Sequence, residues 1–115
     1  MPRDYLNYIQ DILTAIDKIE RYVDHSDYDE FSADEKLVDA VVRNLEIIGE
    51  AAKNVPLEIR NKYPGVEWKE VSGFRDVLAH SYFGVDLEIV WDIVKTKLPD
   101  LGDNAASILK KNKKN

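Results

Sequence analysis

Leu37-Val38-Asp39-Ala40-Val41-Val42-Arg43-Asn44-Leu45-Glu46-Ile47-Ile48-Gly49-Glu50-Ala51-Ala52 is the stretch on which the fold class turns. Its apolar residues recur at three- and four-residue steps, the spacing of a helix face. At about 100° per residue, the side chains of Leu37, Val38, Val41, Val42, Leu45, Ile47, Ile48, Ala51 and Ala52 sweep roughly 220° of the circumference. One bundle neighbour rarely needs so wide a stripe. Two arrangements account for it: a central helix buried on most sides within one protomer, or a core face plus a second face that meets another molecule. Asn44 falls near the middle of the stripe. A buried amide needs partners, so Asn44 is either a register-fixing polar group of the core or it faces a polar site.

The same period runs outward in both directions. Tyr5, Ile9, Ile12, Ile16, Ile19 and Val23 line one face of a first helix, from about Arg3 to Asp24. His25-Ser26-Asp27-Tyr28-Asp29-Glu30 interrupts the pattern and reads as an acidic loop with His25 exposed. Ser32 and Glu35 have the spacing of a capping box, which predicts that the second helix begins at about Ala33 and runs to about Asn54. Pro56 suits the first turn of a short helix, Leu57 to Tyr63, and Pro64-Gly65 marks a turn. A fourth helix is expected from Trp68 to about His80, bent or interrupted at Gly73. Gly84 and Asp86 mark a break and a new N-cap. The fifth helix, with Leu87, Val90, Trp91, Val94 and Leu98 on one face, is expected to stop before Pro99. A weaker helical segment covers Ala105 to Lys111. No stretch reads as a strand, a repeat or a domain boundary. The class is all-α, a bundle of four or five helices forming one domain over residues 1–115.

Composition narrows the function. The chain has 115 residues, 44% of them hydrophobic and 33% charged, as in a globular protein. It has no cysteine, which excludes disulfides, thiolate catalysis and Cys-type zinc sites. No apolar run reaches the ~20 residues of a membrane helix, and no signal-peptide layout opens the chain, so a cytoplasmic address is expected. A net charge of −6 argues against a broad, sequence-independent nucleic-acid surface. The last six residues nevertheless carry four of the 16 basic groups. That tail, from about Lys110, is read either as a frayed helix end with cations suited to a helix C-terminus, or as a contact for RNA or an acidic partner.

The residues able to handle a phosphate gather in Arg75-Asp76-Val77-Leu78-Ala79-His80-Ser81-Tyr82. This Arg-x4-His-x-Tyr run offers a fixed cation, a titratable imidazole and a phenol hydroxyl. Ser72, Asp76 and His80 are spaced by four and share a helix face. Asp76 is thus placed to accept a hydrogen bond from His80 and fix its tautomer. A Ser-His-Asp triad is excluded, because there the histidine stands between the other two. Arg75 and His80 are offset by roughly 140° on a straight helix. Either the chain turns after Ala79, or a second copy supplies the complementary residues across a two-fold axis. Two imidazoles of ordinary pKa near ~6.5 can serve as base and acid for attack by a ribose 2′-hydroxyl. Arginines would neutralise the charge growing on the phosphorus oxygens, and no metal is required. Read structurally instead, His80 caps carbonyls, Arg75 pairs with a carboxylate and Tyr82 packs its ring. His25 has no role in this reading.

Two longer runs, Arg43 to Ala52 and Trp68 to Asp86, resemble in order and spacing the HepT-like family of HEPN-domain proteins. The resemblance extends from the first helix to about Leu101. It implies an all-α homodimer acting as the toxin of a two-gene, type VII-like toxin–antitoxin module. Arg75 and His80 match the family's catalytic pair, held to cleave RNA without a metal in a composite dimer cleft, and Asp76 matches the polar position after the arginine. Tyr82 matches the tyrosine to which an MNT-type nucleotidyltransferase antitoxin transfers AMP from ATP. Adding an anionic phosphate there would occlude the cleft and compete for its cations. The chain has no nucleotidyltransferase motif, so ATP is the partner's substrate and no cofactor of this chain is implied. The alternative is a non-catalytic helical partner that binds a nucleotidyltransferase, and through the same cleft nucleotide or RNA. A structural dimer is the third reading.

Overall fold

The computed structural model describes residues 4–76 and 86–112. Helix α1 spans Tyr5–Val23 and starts where the Asp4 carboxylate accepts from the Leu6 amide at 3.0 Å. Ile9, Ile12, Ile16, Ile19 and Val23 are buried as predicted, Ala15 joins them, and Tyr5 is only partly covered. The helix ends in a tight turn closed by the Ser26 amide donating to Val23 O at 2.9 Å, with His25 exposed at φ 65°.

The acidic segment that reads as a loop folds instead into helix α2, Tyr28–Ala33. Its start is a reciprocal box: the Glu30 amide donates to Asp27 Oδ1 at 2.8 Å, and the Asp27 amide donates to Glu30 Oε1 at 3.1 Å. Phe31, fully buried, holds the helix to the core and packs its ring 5.0 Å from Trp91. The expected Ser32–Glu35 box does not cap the next helix. Ser32 Oγ donates to Asp29 O, and Asp34 takes the cap by accepting from the Leu37 amide at 3.1 Å. Helix α3 therefore runs Glu35–Asn54, two residues later than expected.

Helix α3 packs against α1, α2 and α5, the last being the short helix Trp68–Ser72. Val41, Leu45, Ile48 and Ala52 are wholly buried, while Leu37, Val38 and Ile47 are partly covered. Neighbours inside one protomer thus account for most of the wide arc; burying such a side chain stabilises by about 1.5–3 kcal/mol. Its C-terminus is closed by Arg60, on helix α4 (Leu57–Lys62), whose guanidinium donates to Val55 O and Lys53 O at 2.9 and 2.8 Å.

After residue 86 the chain does not stop at Pro99. Helix α6, Leu87–Asp92, passes through one π-helical turn, Ile93–Lys97, into helix α7, Leu98–Asn112. The Leu98 amide donates five residues back to Ile93 O, so the wider turn absorbs the proline at the start of α7. Asp86 stands at the N-cap of α6 without a side-chain capping bond. Lys110, Lys111 and Asn112 form the last turn of α7, because Asn112 accepts from Tyr5 Oη at 3.0 Å and donates to Tyr63 Oη at 3.1 Å. Among the described residues there is no strand, and no helix is long and apolar enough to cross a membrane.

Candidate active site

Arg75 follows a joint in the chain. Helix α5 ends at Gly73, whose amide donates to Lys69 O and Glu70 O, and residues 74–76 resume helical geometry with the Asp76 amide donating to Gly73 O. Phe74 is only 2% exposed and pins this segment to the core. Its neighbours Arg75 and Asp76 are therefore turned to the surface. A side-chain carbon placed on Gly49 would lie 3.4 Å from Val71 O and 3.5 Å from the Arg75 nitrogen, so the segment rests directly on α3.

One residue further along α3, Glu50 Oε2 lies 3.4 Å from Arg75 Nη1. The pair stands at a groove of about 490 Å³ between α1 and α3. Ile47 and Ala51 form its floor, and Arg43, Glu46 and Asn54 continue its polar wall. Arg43 is itself paired loosely with Glu46, at 3.9 Å. The groove thus presents two guanidinium groups, each beside a carboxylate of α3.

Asn44, the expected site residue on α3, is buried and donates to Ala40 O on its own helix at 2.9 Å. It does not line the groove. Ser72 Oγ is buried and has no hydrogen-bond partner among the described residues. His80 and Tyr82 lie outside the described residues, as does the expected Asp76–His80 bond. Glu50, Arg43 and Asn54 were not singled out from the sequence. Their recurrence with Glu46 and Ile47 at three- and four-residue steps along α3 marks a shared face that could have revealed them.

A second cleft, of about 330 Å³, lies on the other side of α5 toward the π turn and α7. Lys97 Nζ bridges to Glu70 Oε1 at 3.1 Å there. A hydrogen bond from Glu67, then Lys97, holds the Glu70 carboxyl below the usual carboxylate range. The same hydrogen bond and the Glu70 charge push Glu67 up, and Glu70 raises Lys97. Glu67 therefore keeps its proton longer than its neighbour. Among the described residues no group of three or more His, Asp or Glu side chains is arranged to hold a metal.

The family model described as "Ribonuclease HepT-like" matches residues 12–108. The chain belongs to the HepT-like ribonuclease family. Among its relatives in that family, "Probable ribonuclease HepT" of Thermococcus cleftensis is 42% identical over 101 residues, covering 88% of this chain and 92% of its own length. A Caldanaerobacter subterraneus protein, named provisionally as an RNase, is 42% identical over 113 residues and 97% of both chains. A Methanocaldococcus jannaschii protein named as a gamma-glutamylcyclotransferase and, provisionally, an RNase is 43% identical over 115 residues. This chain spans 52% of that protein. No solved structure matches. Arg75 belongs to the matched span, and so do the motif positions His80 and Tyr82.

Proposed function

We propose that this HepT-like protein is an endoribonuclease that cleaves RNA by attack of a ribose 2′-hydroxyl on the adjacent phosphorus, without a bound metal. The observation that carries the reading is the placement of Arg75. The arginine of the family motif stands at the rim of a groove, held by packing behind it rather than spent inside the core. A guanidinium there is suited to bind the phosphate and offset charge on its nonbridging oxygens. His80 takes a proton from the 2′-hydroxyl or gives one to the departing 5′-oxygen, with the second role filled by the same residue of another copy in a homodimer. The products are a 2′,3′-cyclic phosphate and a free 5′-hydroxyl. Asp76, one helical turn before His80 in sequence, orients the imidazole.

Tyr82 is the regulatory position in this reading. A partner nucleotidyltransferase of the MNT type directs the phenol oxygen onto the α-phosphorus of ATP. Pyrophosphate leaves, the phenol loses its proton and AMP remains esterified beside the catalytic pair. The two proteins then form a toxin–antitoxin module. The added anion competes with RNA for Arg75.

The test is cleavage of total cellular RNA in excess EDTA by protein shown by mass to carry no AMP, beside His80→Ala and Tyr82→Phe. Cleavage by wild type and Tyr82→Phe, but not by His80→Ala, is the expected result. Absence of cleavage by all three would favour a non-catalytic partner of a nucleotidyltransferase.

A further inference from the structure

We propose that Glu50 is the positioning residue for Arg75: its carboxylate aims the guanidinium across the groove, leaving the remaining N–H donors for an RNA phosphate. The inference rests on the nuclease reading above and names a residue that the motif does not contain. Two observations support it from different directions. The first is the ion pair itself, Arg75 Nη1 to Glu50 Oε2 at 3.4 Å across two elements far apart in sequence. The second is the adjoining backbone contact, in which Gly49 lets the Arg75 main chain lie against α3. One dipeptide, Gly49-Glu50, therefore holds both ends of Arg75.

The geometry also leaves the guanidinium available. Arginine carries five N–H donors in a planar fork, and the described contact with Glu50 engages one edge through Nη1. Both side chains are well exposed, at 67% and 56%, so a phosphate can reach the fork without displacing core residues. An exposed pair adds little to folding. Such a pair is informative about orientation, since a long side chain at a groove otherwise samples many rotamers. Glu50 lies four residues before the end of a 20-residue helix whose C-terminus is closed by Arg60, a firm platform for that restraint. Removing it would leave Arg75 charged and present but poorly aimed, and misplacement by an ångström can cost on the order of a hundredfold in rate.

The experiment uses the full chain as wild type, Glu50→Gln, Arg75→Ala and the double variant. Single-turnover cleavage of one defined RNA is measured with saturating protein, alongside binding of the 2′-O-methyl form of that RNA, which cannot be cleaved by this route. Glu50→Gln should slow the cleavage step about tenfold or more and weaken binding by only about two- to threefold. The same substitution should have no further effect in the Arg75→Ala background, and Glu50→Asp should recover part of the rate. An undiminished rate in Glu50→Gln, or an equal loss with and without Arg75, overturns the proposal. If wild type does not cleave, the nuclease reading fails by itself, and the binding arm then decides the pair. Weaker binding of 2′-O-methyl RNA by Glu50→Gln, absent in the Arg75→Ala background, supports an orienting role. Unchanged or tighter binding overturns it.

Discussion

The Arg75 amide nitrogen lies 3.5 Å from where a side-chain carbon on Gly49 would stand, so the arginine of the motif is docked backbone-first on the central helix. Gly49→Ala should be tolerated, because its methyl would be in ordinary contact and alanine favours the helix by about 1 kcal/mol over glycine. Gly49→Val should behave differently. Its branches have no room beside Val71 O and Arg75, and overpacking of this kind costs about 1–3 kcal/mol. Urea denaturation and cleavage assays should show wild-type behaviour for the alanine, and for the valine a loss of rate beyond its loss of stability.

Arg75→Ala should abolish cleavage while leaving the fold intact. The Arg75–Glu50 pair is exposed, and such pairs contribute about 0–1 kcal/mol. A midpoint of thermal unfolding within a few degrees of wild type, together with at least a hundredfold loss of cleavage, is the expected result. A collapse of stability would instead assign Arg75 to the structure.

His25 closes α1 with φ 65°, in the left-handed region that side chains disfavour. Its neighbour Asp24, at φ −54° and ψ 130°, makes this a type II turn, in which glycine is preferred at the second central position. His25→Gly should therefore raise stability by about 0.5–1 kcal/mol without affecting cleavage, as measured by urea denaturation.

The Glu67–Glu70–Lys97 cluster fixes a pH dependence. Glu70 is held below its ordinary value, so its contribution to stability is full above the unfolded-state value and fades as pH falls through the folded one. Lys97 is raised, so its contribution is full below the ordinary lysine value and is lost as pH climbs through the folded one. The bridge accordingly acts from weakly acidic to moderately alkaline pH. Glu67, raised mainly by its hydrogen bond to Glu70, works in the opposite sense, favouring the fold at acid pH and losing that contribution as it ionises. In Lys97→Ala, carbon NMR titrations should show the midpoints of both carboxyls moving upward, since Lys97 lowers each of them. Unmoved midpoints would contradict the bridge.

Much of this was legible in residue spacing. The face of α1 was legible from Ile9 to Val23, with Ala15 joining it and Tyr5 only partly covered, because an amphipathic helix on a core repeats its apolar positions every three or four residues. The acidic segment was misread because Asp27 and Glu30 look solvated when counted as charges. Their reciprocal hydrogen bonds make them a cap, and Phe31 supplies the anchor. The stop at Pro99 was misplaced for a similar reason. A missing amide ends an ideal α-helix, yet a π turn before it moves the hydrogen-bond register and lets the chain continue.

The sequence alone determined the helical class, the α1 and α3 core faces and the Arg75–His80–Tyr82 motif, since periodicity and motif spacing are local properties of the chain. Tertiary structure decided that Arg75 stands against Gly49 and Glu50. Those residues are 25 and 26 positions away, and no local rule pairs a charge on one helix with a charge on another. That contact exists because α3 carries no side chain larger than a methyl at Gly49 and Phe74 is drawn into the core, which turns its neighbour outward to the groove.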